Sequence, residues 1–410
     1  LRTAGRLAAV LLTAGLFGCS RSGRDSEPLA LPDAYLIYAP QRDPEGHPRL
    51  SPSGLPVFDA LPLDDERAVP FHKLFAVGFA GEMLRTDYLL KQFIRDVDAG
   101  GTKFSPGARA AAREPTVFVL QKPPAPPAGV GFAVTGFLGG PSDRARVPWV
   151  AVPVEPDRDS ALTQTIAGKL ARRIAATLAA GGDPGAGTAA IQATTATPLI
   201  EGYASAMEVI AREWRVGEGP RGALSPDAGT AAQRQIFASV RENRFVMGQG
   251  DDRQRLRPAR EMLQDPGVAA TILYRMAQSK GVGRRMAPAE LYAPFVSQRV
   301  PAGVSPAAVL GPFRNFQAKL IAVWGRAVLR GAPPHDIAEL VEAYAAELPA
   351  ERSEVIRLFV VTTFGATVKP DGVTWKEGGD PAAALPELSA LAAEVAAGRR
   401  SLRQALIAGK

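Results

Sequence analysis

Residues 160–180 read SALTQTIAGKLARRIAATLAA, and after a glycine-rich connection residues 198–205 read PLIEGYAS. In the first stretch Leu162, Ile166, Leu170, Ile174 and Leu178 recur at every fourth position, which on an α-helix makes one apolar seam slanting around the axis. Gly168 and Arg172, also four apart, are expected on another face, pointing roughly away from that seam. The second stretch opens with Pro198, which a first helical turn tolerates because its missing N–H has no intrahelical partner there. Met207, Ile210 and Trp214 then supply its core face. Two consecutive helices are predicted.

Upstream, three short runs rich in β-branched residues and bounded by proline or glycine predict strands: Val117 to Leu120, Val130 to Leu138, and Val147 to Val154. Pro148 and Pro153 confine the last to a sheet edge, since proline donates nothing to a ladder. Residues 123–127 read as a stiff loop. Before these, Phe75, Phe79, Met83, Leu90, Ile94 and Val97 predict one long amphipathic helix ended by Gly100-Gly101. The prolines at 40, 44, 48, 52, 56, 62 and 70 predict an extended surface segment without central strands, preceded by a short strand at Tyr35 to Tyr38.

Downstream the reading is helical. Phe313, Phe316, Leu320 and Trp324 form one stripe. Asp336 with Glu339 three places on resembles a capping box, followed by Ile337, Leu340, Val341, Tyr344 and Leu348 on one face. Leu388, Leu391, Val395, Leu402 and Leu406 support a C-terminal helix. Val360 to Val368 and Val373 to Trp375 around Pro370-Asp371-Gly372 predict a hairpin. The fold class is therefore α+β: a small mixed sheet with packed helices in the first half and a mostly α-helical second half. Expected boundaries are 1–18 (leader), 19–70 (tether and extended segment), 71–215 (α+β domain) and 216–410 (mainly helical domain).

Composition narrows function. With 48 Lys and Arg against 41 Asp and Glu, the net charge of +7 is dilute over 410 residues and argues against nucleic-acid binding. The nearest basic cluster, Arg253, Arg255, Arg257 and Arg260, is flanked by Asp251, Asp252, Glu261 and Asp265 and reads as a solvated helix face. No phosphate loop, dinucleotide fingerprint, G-x-S-x-G elbow or intact H-E-x-x-H occurs. His47, His72 and His335 lack metal-ligand spacing, so capping or surface roles are expected for them.

At the N-terminus Arg2 and Arg6 precede an apolar run from Leu7 to Gly18, too short to span a bilayer, and then comes Cys19, the single cysteine. Leu16-Phe17-Gly18-Cys19 resembles the lipobox of bacterial lipoproteins. That resemblance implies cleavage before Cys19, acylation (including palmitate) of its thiol, and anchoring to a lipid bilayer. Ser20 lacks the aspartate that resembles an inner-membrane retention signal, so outer-membrane attachment facing the periplasm is expected.

The helix pair carries a second resemblance, to the gluzincin metallopeptidases, in which an edge strand precedes a helix bearing H-E-x-x-H and a following helix supplies a glutamate, often within E-G-x-A. Gly168-Lys169-Leu170-Ala171-Arg172 stands in place of H-E-x-x-H, and Glu201-Gly202-Tyr203-Ala204 in place of the third ligand. The resemblance covers residues 147–215 and keeps one chemical residue, Glu201. Glycine has no ligand atom, Lys169 is a cation where a base is needed, and Arg172 keeps its proton. The resemblance thus implies a pseudoenzyme with no metal, no cofactor and no catalytic residue, in which Arg172 pairs with Glu201. The expected role is non-catalytic binding or scaffolding of a protein partner in the cell envelope. Two other readings stand beside it: a hydrolase using carboxylates such as Glu201, Glu208 and Glu213, and a structural part of a surface or motility assembly.

Overall fold

In strand β3 (Thr116–Gln121) Val117 and Val119 face one side of a sheet while Phe118 and Leu120 face the other, and all four are buried. The same alternation runs through β1 (Tyr35–Pro40), where Ile37 and Ala39 join the main core and Tyr38 joins the smaller cluster with Phe58. These strands belong to a five-stranded mixed sheet in the order β4-β2-β1-β3-β5, completed by β2 (Val57–Ala60), β4 (Ala133–Thr135) and β5 (Trp149–Pro153). β1 pairs parallel with β3 and antiparallel with β2, and β3 pairs parallel with β5. The computed structural model describes residues 35–47, 49–50, 57–62, 64–77, 79–98, 104–113, 115–121, 133–135, 149–153, 159–180, 198–215, 219–220, 238–246, 257, 259–286, 312–364, 368–369, 372–373, 386–399 and 401–402.

The α+β class holds: a small mixed sheet lies in the first half, and helices dominate the second. β5 takes an edge, as its prolines require. The proline-rich segment departs from expectation, because β2 is an interior strand paired on both sides. Pro56 and Pro62 bracket this four-residue strand without entering it, so every N–H the ladder needs is present. The single long helix expected from residue 71 is two, α1 (Val69–Val77) and α2 (Phe79–Val97). The one residue between them is a glycine, the weakest helix former after proline. α3 (Pro106–Arg113) follows.

The two helices read first in the sequence are α4 (Asp159–Ala180) and α5 (Pro198–Glu213). Ile166, Leu170, Ile174 and Leu178 of the expected seam are buried, and the Leu162 side chain lies outside the described residues. Later come α6 (Ala259–Gln264), α7 (Pro266–Gln278), α8 (Pro312–Leu329), α9 (Ile337–Glu347), α10 (Arg352–Phe364) and α11 (Pro386–Ala396). Asp336 caps α9 by accepting from the Glu339 N–H at 3.0 Å, and all five stripe residues of that helix and its cap are buried. Of the expected hairpin the described residues show Val368 opposite Val373 and Lys369 opposite Gly372, while Val360 to Phe364 continue α10 with Phe359 and Val360 in the core. Arg257 is no solvated charge either: it pairs with Asp265, which also caps α7 at the Gly267 N–H.

One apolar cluster extends from Ile37 of β1 through α2, α4, α5, α7, α8, α9 and α10 to Leu402. Buried polar knots cross it, one on α2 and one on α8 among them. Asp87 and Lys91 of α2 pair at 3.0 Å, share Thr116 of β3, and lie beside Arg173 of α4 at 3.8 Å. Lys319 of α8, fully buried, donates to both Glu351 oxygens at 2.9 Å and to the carbonyls of Val282 and Arg285, while the Tyr344 hydroxyl donates to Glu351 at 2.9 Å. Such pairs tolerate burial because each charge faces an opposite one; the Lys319–Glu351 knot is also hydrogen-bonded throughout, whereas Arg173 meets Asp87 through charge alone, with its Nε and Nη1 buried. Among the described residues no helix is long and apolar enough to cross a membrane. The expected leader at 1–18, Cys19, Ser20 and the tether up to residue 33 lie outside the described residues, as do the loop at 123–127 and the side chains of Phe313, Leu388, Leu391 and Leu406.

Candidate functional site

The site positions sit where α4 packs along α5. Gly168 of α4 lies against Glu208 of α5, and Arg172, one turn further along α4, meets Glu201, nearly two turns back along α5. Contacts running in opposite senses make the two helices antiparallel. Arg172 and Glu201 join side-on: Nε donates to Oε1 at 2.7 Å, and Nη2 donates to Oε2. This fork matches the planar guanidinium to both carboxylate oxygens and fixes orientation as well as charge. The Arg172 side chain is 47% exposed and Glu201 26%, so the pair sits at the rim of the helix interface. Glu201 stands in the first turn of α5, where the helix dipole favours an anion.

Deeper in the interface, Gly168 is buried against α5. A Cβ on Gly168 would lie 2.0 Å from Glu208 Oε1 and 2.6 Å from its carboxyl carbon. The absence of a side chain there is what admits the Glu208 carboxyl between the helices. Burial pushes the Glu208 carboxyl up to about 7; Glu201 adds to the shift, while Arg172 and Lys169 oppose it. Burial also lowers Lys169, with the Arg172 charge adding to that effect and Glu208 opposing it. Lys169, Arg172, Glu201 and Glu208 thus form one electrostatic group in which two cations face two carboxyls, one of them holding its proton near neutral pH.

The Glu201-Gly202 sequence has its own packing reason. A Cβ at Gly202 would stand 2.5 Å from that of Ala269 and 2.8 Å from the Pro266 carbonyl, so glycine lets α5 close onto α7. Glu213, at the far end of α5, belongs to a different knot. The Tyr274 hydroxyl lies 2.9 and 2.8 Å from its two oxygens, Gln278 donates to it at 3.1 Å, and Arg241 is 3.6 Å away. Burial raises Glu213 to about 7, against the hydrogen bond from Tyr274 and the charge of Arg241. Of the three carboxylates considered together, Glu201 and Glu208 share a site and Glu213 does not.

The residues do not fit a zinc ion. Position 168 offers no donor, position 169 an ammonium, and position 172 a guanidinium already clasping the one carboxylate of the set. Among the described residues no other group of His, Cys, Asp and Glu has the arrangement to hold a metal. The histidines are scattered. His47 pairs with Asp43 on the surface at 3.4 Å, the His335 N–H donates to Glu339 at 2.8 Å, and His72 Nδ1 meets the Tyr35 hydroxyl. Sequence reasoning paired Arg172 with Glu201 but missed the contact of Gly168 with Glu208. The clue was available as a glycine in mid-helix, a residue that weakens a helix and so asks for a packing reason. Comparison with protein-family models, with curated proteins and with solved structures finds no match to the chain.

Proposed function

We propose that the chain is an envelope lipoprotein, anchored through an acylated Cys19 on the outer membrane and facing the periplasm, whose body binds or scaffolds a protein partner without catalysis. In this reading the α4–α5 pair is a metallopeptidase-like site in which chemistry has been replaced by an internal ion pair. The observation that carries it is the side-on Arg172–Glu201 contact: a fixed guanidinium stands on the carboxylate that would otherwise ligate metal. A site so closed on itself is suited to shape and charge recognition rather than to activating water.

The test is the zinc content of the full chain, purified without chelator or histidine tag, together with a casein cleavage assay and the intact mass of the membrane-extracted protein. A metal-free, inactive protein with the mass of a chain acylated at Cys19 and lacking residues 1–18 supports the proposal. Stoichiometric zinc, cleavage, or an unmodified Cys19 overturns the corresponding part of it.

A second reading, hydrolysis by paired carboxyls, draws on one observation: Glu208 keeps a proton near neutral pH beside Glu201, as a general acid beside a carboxylate would. Glu208→Gln separates the two readings, since it abolishes hydrolysis on this second reading and leaves partner binding intact on the first.

A further inference from the structure

At the carboxyl end of β1 the sheet opens into a cavity of about 570 Å³, remote in sequence from the α4–α5 site. Its floor is apolar, with Ala39 and Leu120 at the ends of the parallel neighbours β1 and β3. Its walls carry Arg42, Arg49 and Arg67 against one lining carboxylate, Asp59. The crevice beyond the carboxyl ends of parallel strands is where open sheets most often take ligands.

The arginines are held in place by bonds that use only part of each guanidinium. Gln41 donates to Asp59 at 2.8 Å and presents its carbonyl oxygen to Arg49 at 3.4 Å, so the lining carboxylate is engaged and Arg49 is steered by the same amide. Arg42 donates to the Gly46 carbonyl across the turn in which the Asp43 carboxylate accepts from the His47 N–H at 2.8 Å. Arg67 is clasped by Asp65, with Nε to Oδ1 at 2.9 Å and Nη2 to Oδ2 at 2.8 Å, and Asp65 in turn accepts from the backbone that opens α1. Each cation therefore keeps N–H donors beyond these anchors, and the three arginines line one opening against two carboxylates, Asp59 in the lining and the Asp65 that clasps Arg67, which leaves an excess of one positive charge.

We propose that this cavity is a binding site for a small oxyanion-bearing ligand of the phosphate type, its charged group on Arg42, Arg49 and Arg67 and its stem against Ala39 and Leu120. A free phosphate ester and the headgroup of an anionic lipid present the same chemistry to it.

Calorimetric titration of the full chain with inorganic phosphate and with glycerol phosphate tests the soluble source. Co-sedimentation with phosphatidylglycerol vesicles, against phosphatidylcholine vesicles, tests the lipid source. Saturable binding in either arm, weakened about tenfold or more by Arg49→Ala or Arg67→Ala as expected for lost charge-assisted hydrogen bonds, supports the site and names its source. Arg49→Lys, which keeps charge but loses the fork, is expected to bind with intermediate strength. Arg330→Ala, at an exposed pair with Glu347, is the control for diffuse charge. The proposal is overturned by no binding in either arm, or by binding that Arg330→Ala weakens as much as the cavity variants do. These arginines are largely exposed, and unchanged far-ultraviolet circular dichroism certifies that each variant is folded.

Discussion

Oxygen Oε1 of Glu208 stands 2.0 Å from the point where a Cβ on Gly168 would be, so the carboxyl of one helix fills the volume that any side chain on the other would need. The two positions are complementary, and their effects on stability should be coupled. Gly168→Ala is expected to destabilise by about 1 kcal/mol, because the half-buried Glu208 side chain must swing out of the interface, which outweighs the gain in helix propensity. In a Glu208→Ala background the same change should stabilise by about 1 kcal/mol, as at an unobstructed helical glycine. Urea midpoints of the four proteins check this, and additivity would refute the contact.

The rim pair tunes the inner carboxyl. Arg172 holds Glu208 down and Glu201 pushes it up, so Arg172→Ala should move the Glu208 midpoint above about 7, and Glu201→Gln should move it below. Carbon-13 titration of the glutamate carboxyls reads both shifts. Stability itself should change by only about 0–1 kcal/mol in either variant, since the pair is partly solvated.

Stability should fall as pH rises from 4.5 to about 7. Glu208 and Glu213 both keep protons in the folded chain that the unfolded chain releases over that interval, so the folded state binds more protons and loses ground as they are removed. Each contributes on the order of 2–3 kcal/mol to the decline. Lys91 works in the opposite sense at higher pH. Burial and the Arg173 charge lower it to about 8 despite Asp87, so stability recovers between about 8 and 10.5 as the unfolded lysine alone retains its proton. Below pH 4, protonation of Asp87 removes stability, because Arg173, Lys91 and Thr116 outweigh burial and hold it down at about 2. Urea unfolding across this range should show a maximum near pH 4–5, and Glu213→Gln should remove about half of the decline towards pH 7.

Lys319 leaves Glu351 no other cation within bonding reach among the described residues. Lys319→Met is expected to cost about 3–5 kcal/mol by stranding a buried carboxylate, and Lys319→Met combined with Glu351→Leu should recover part of that loss. Thermal unfolding of the two variants decides it. A double variant no more stable than the single would contradict the explanation.

Much of the architecture was legible because burial on one face leaves a period in the sequence. The four-residue seam of α4 and the five-residue face of α9 are written in the positions of their apolar residues, while β3 shows as a short apolar, β-branched run buried on both faces. What the period could not show was partnership. The apolar spacing around Gly168 is the same whether that glycine faces water or Glu208, and only the path of α5 decides. β2 escaped notice because a four-residue strand set between prolines carries too few alternations to stand out. Val360 and Val361 read as strand through their β-branching, yet they continue α10, where tertiary burial overrides local preference. At the site, the Arg172–Glu201 pair followed from aligning two helices by motif. The arginine-lined cavity had no linear trace, since its three cations are brought together by a turn, a strand end and a helix start.

β1 is the first described strand of the chain and also the middle strand of the sheet, which ties the fold to a sequence of events in time. Its antiparallel partner β2 arrives after residues 41–56, but its parallel partner β3 comes only after α1, α2 and α3. Closing that long crossover costs chain entropy before any ladder bond on that side repays it, so β1 waits half-paired while the helices form. The docking of β3 onto β1 is then the natural rate-limiting event, and until it occurs the innermost strand of the finished protein is an open edge.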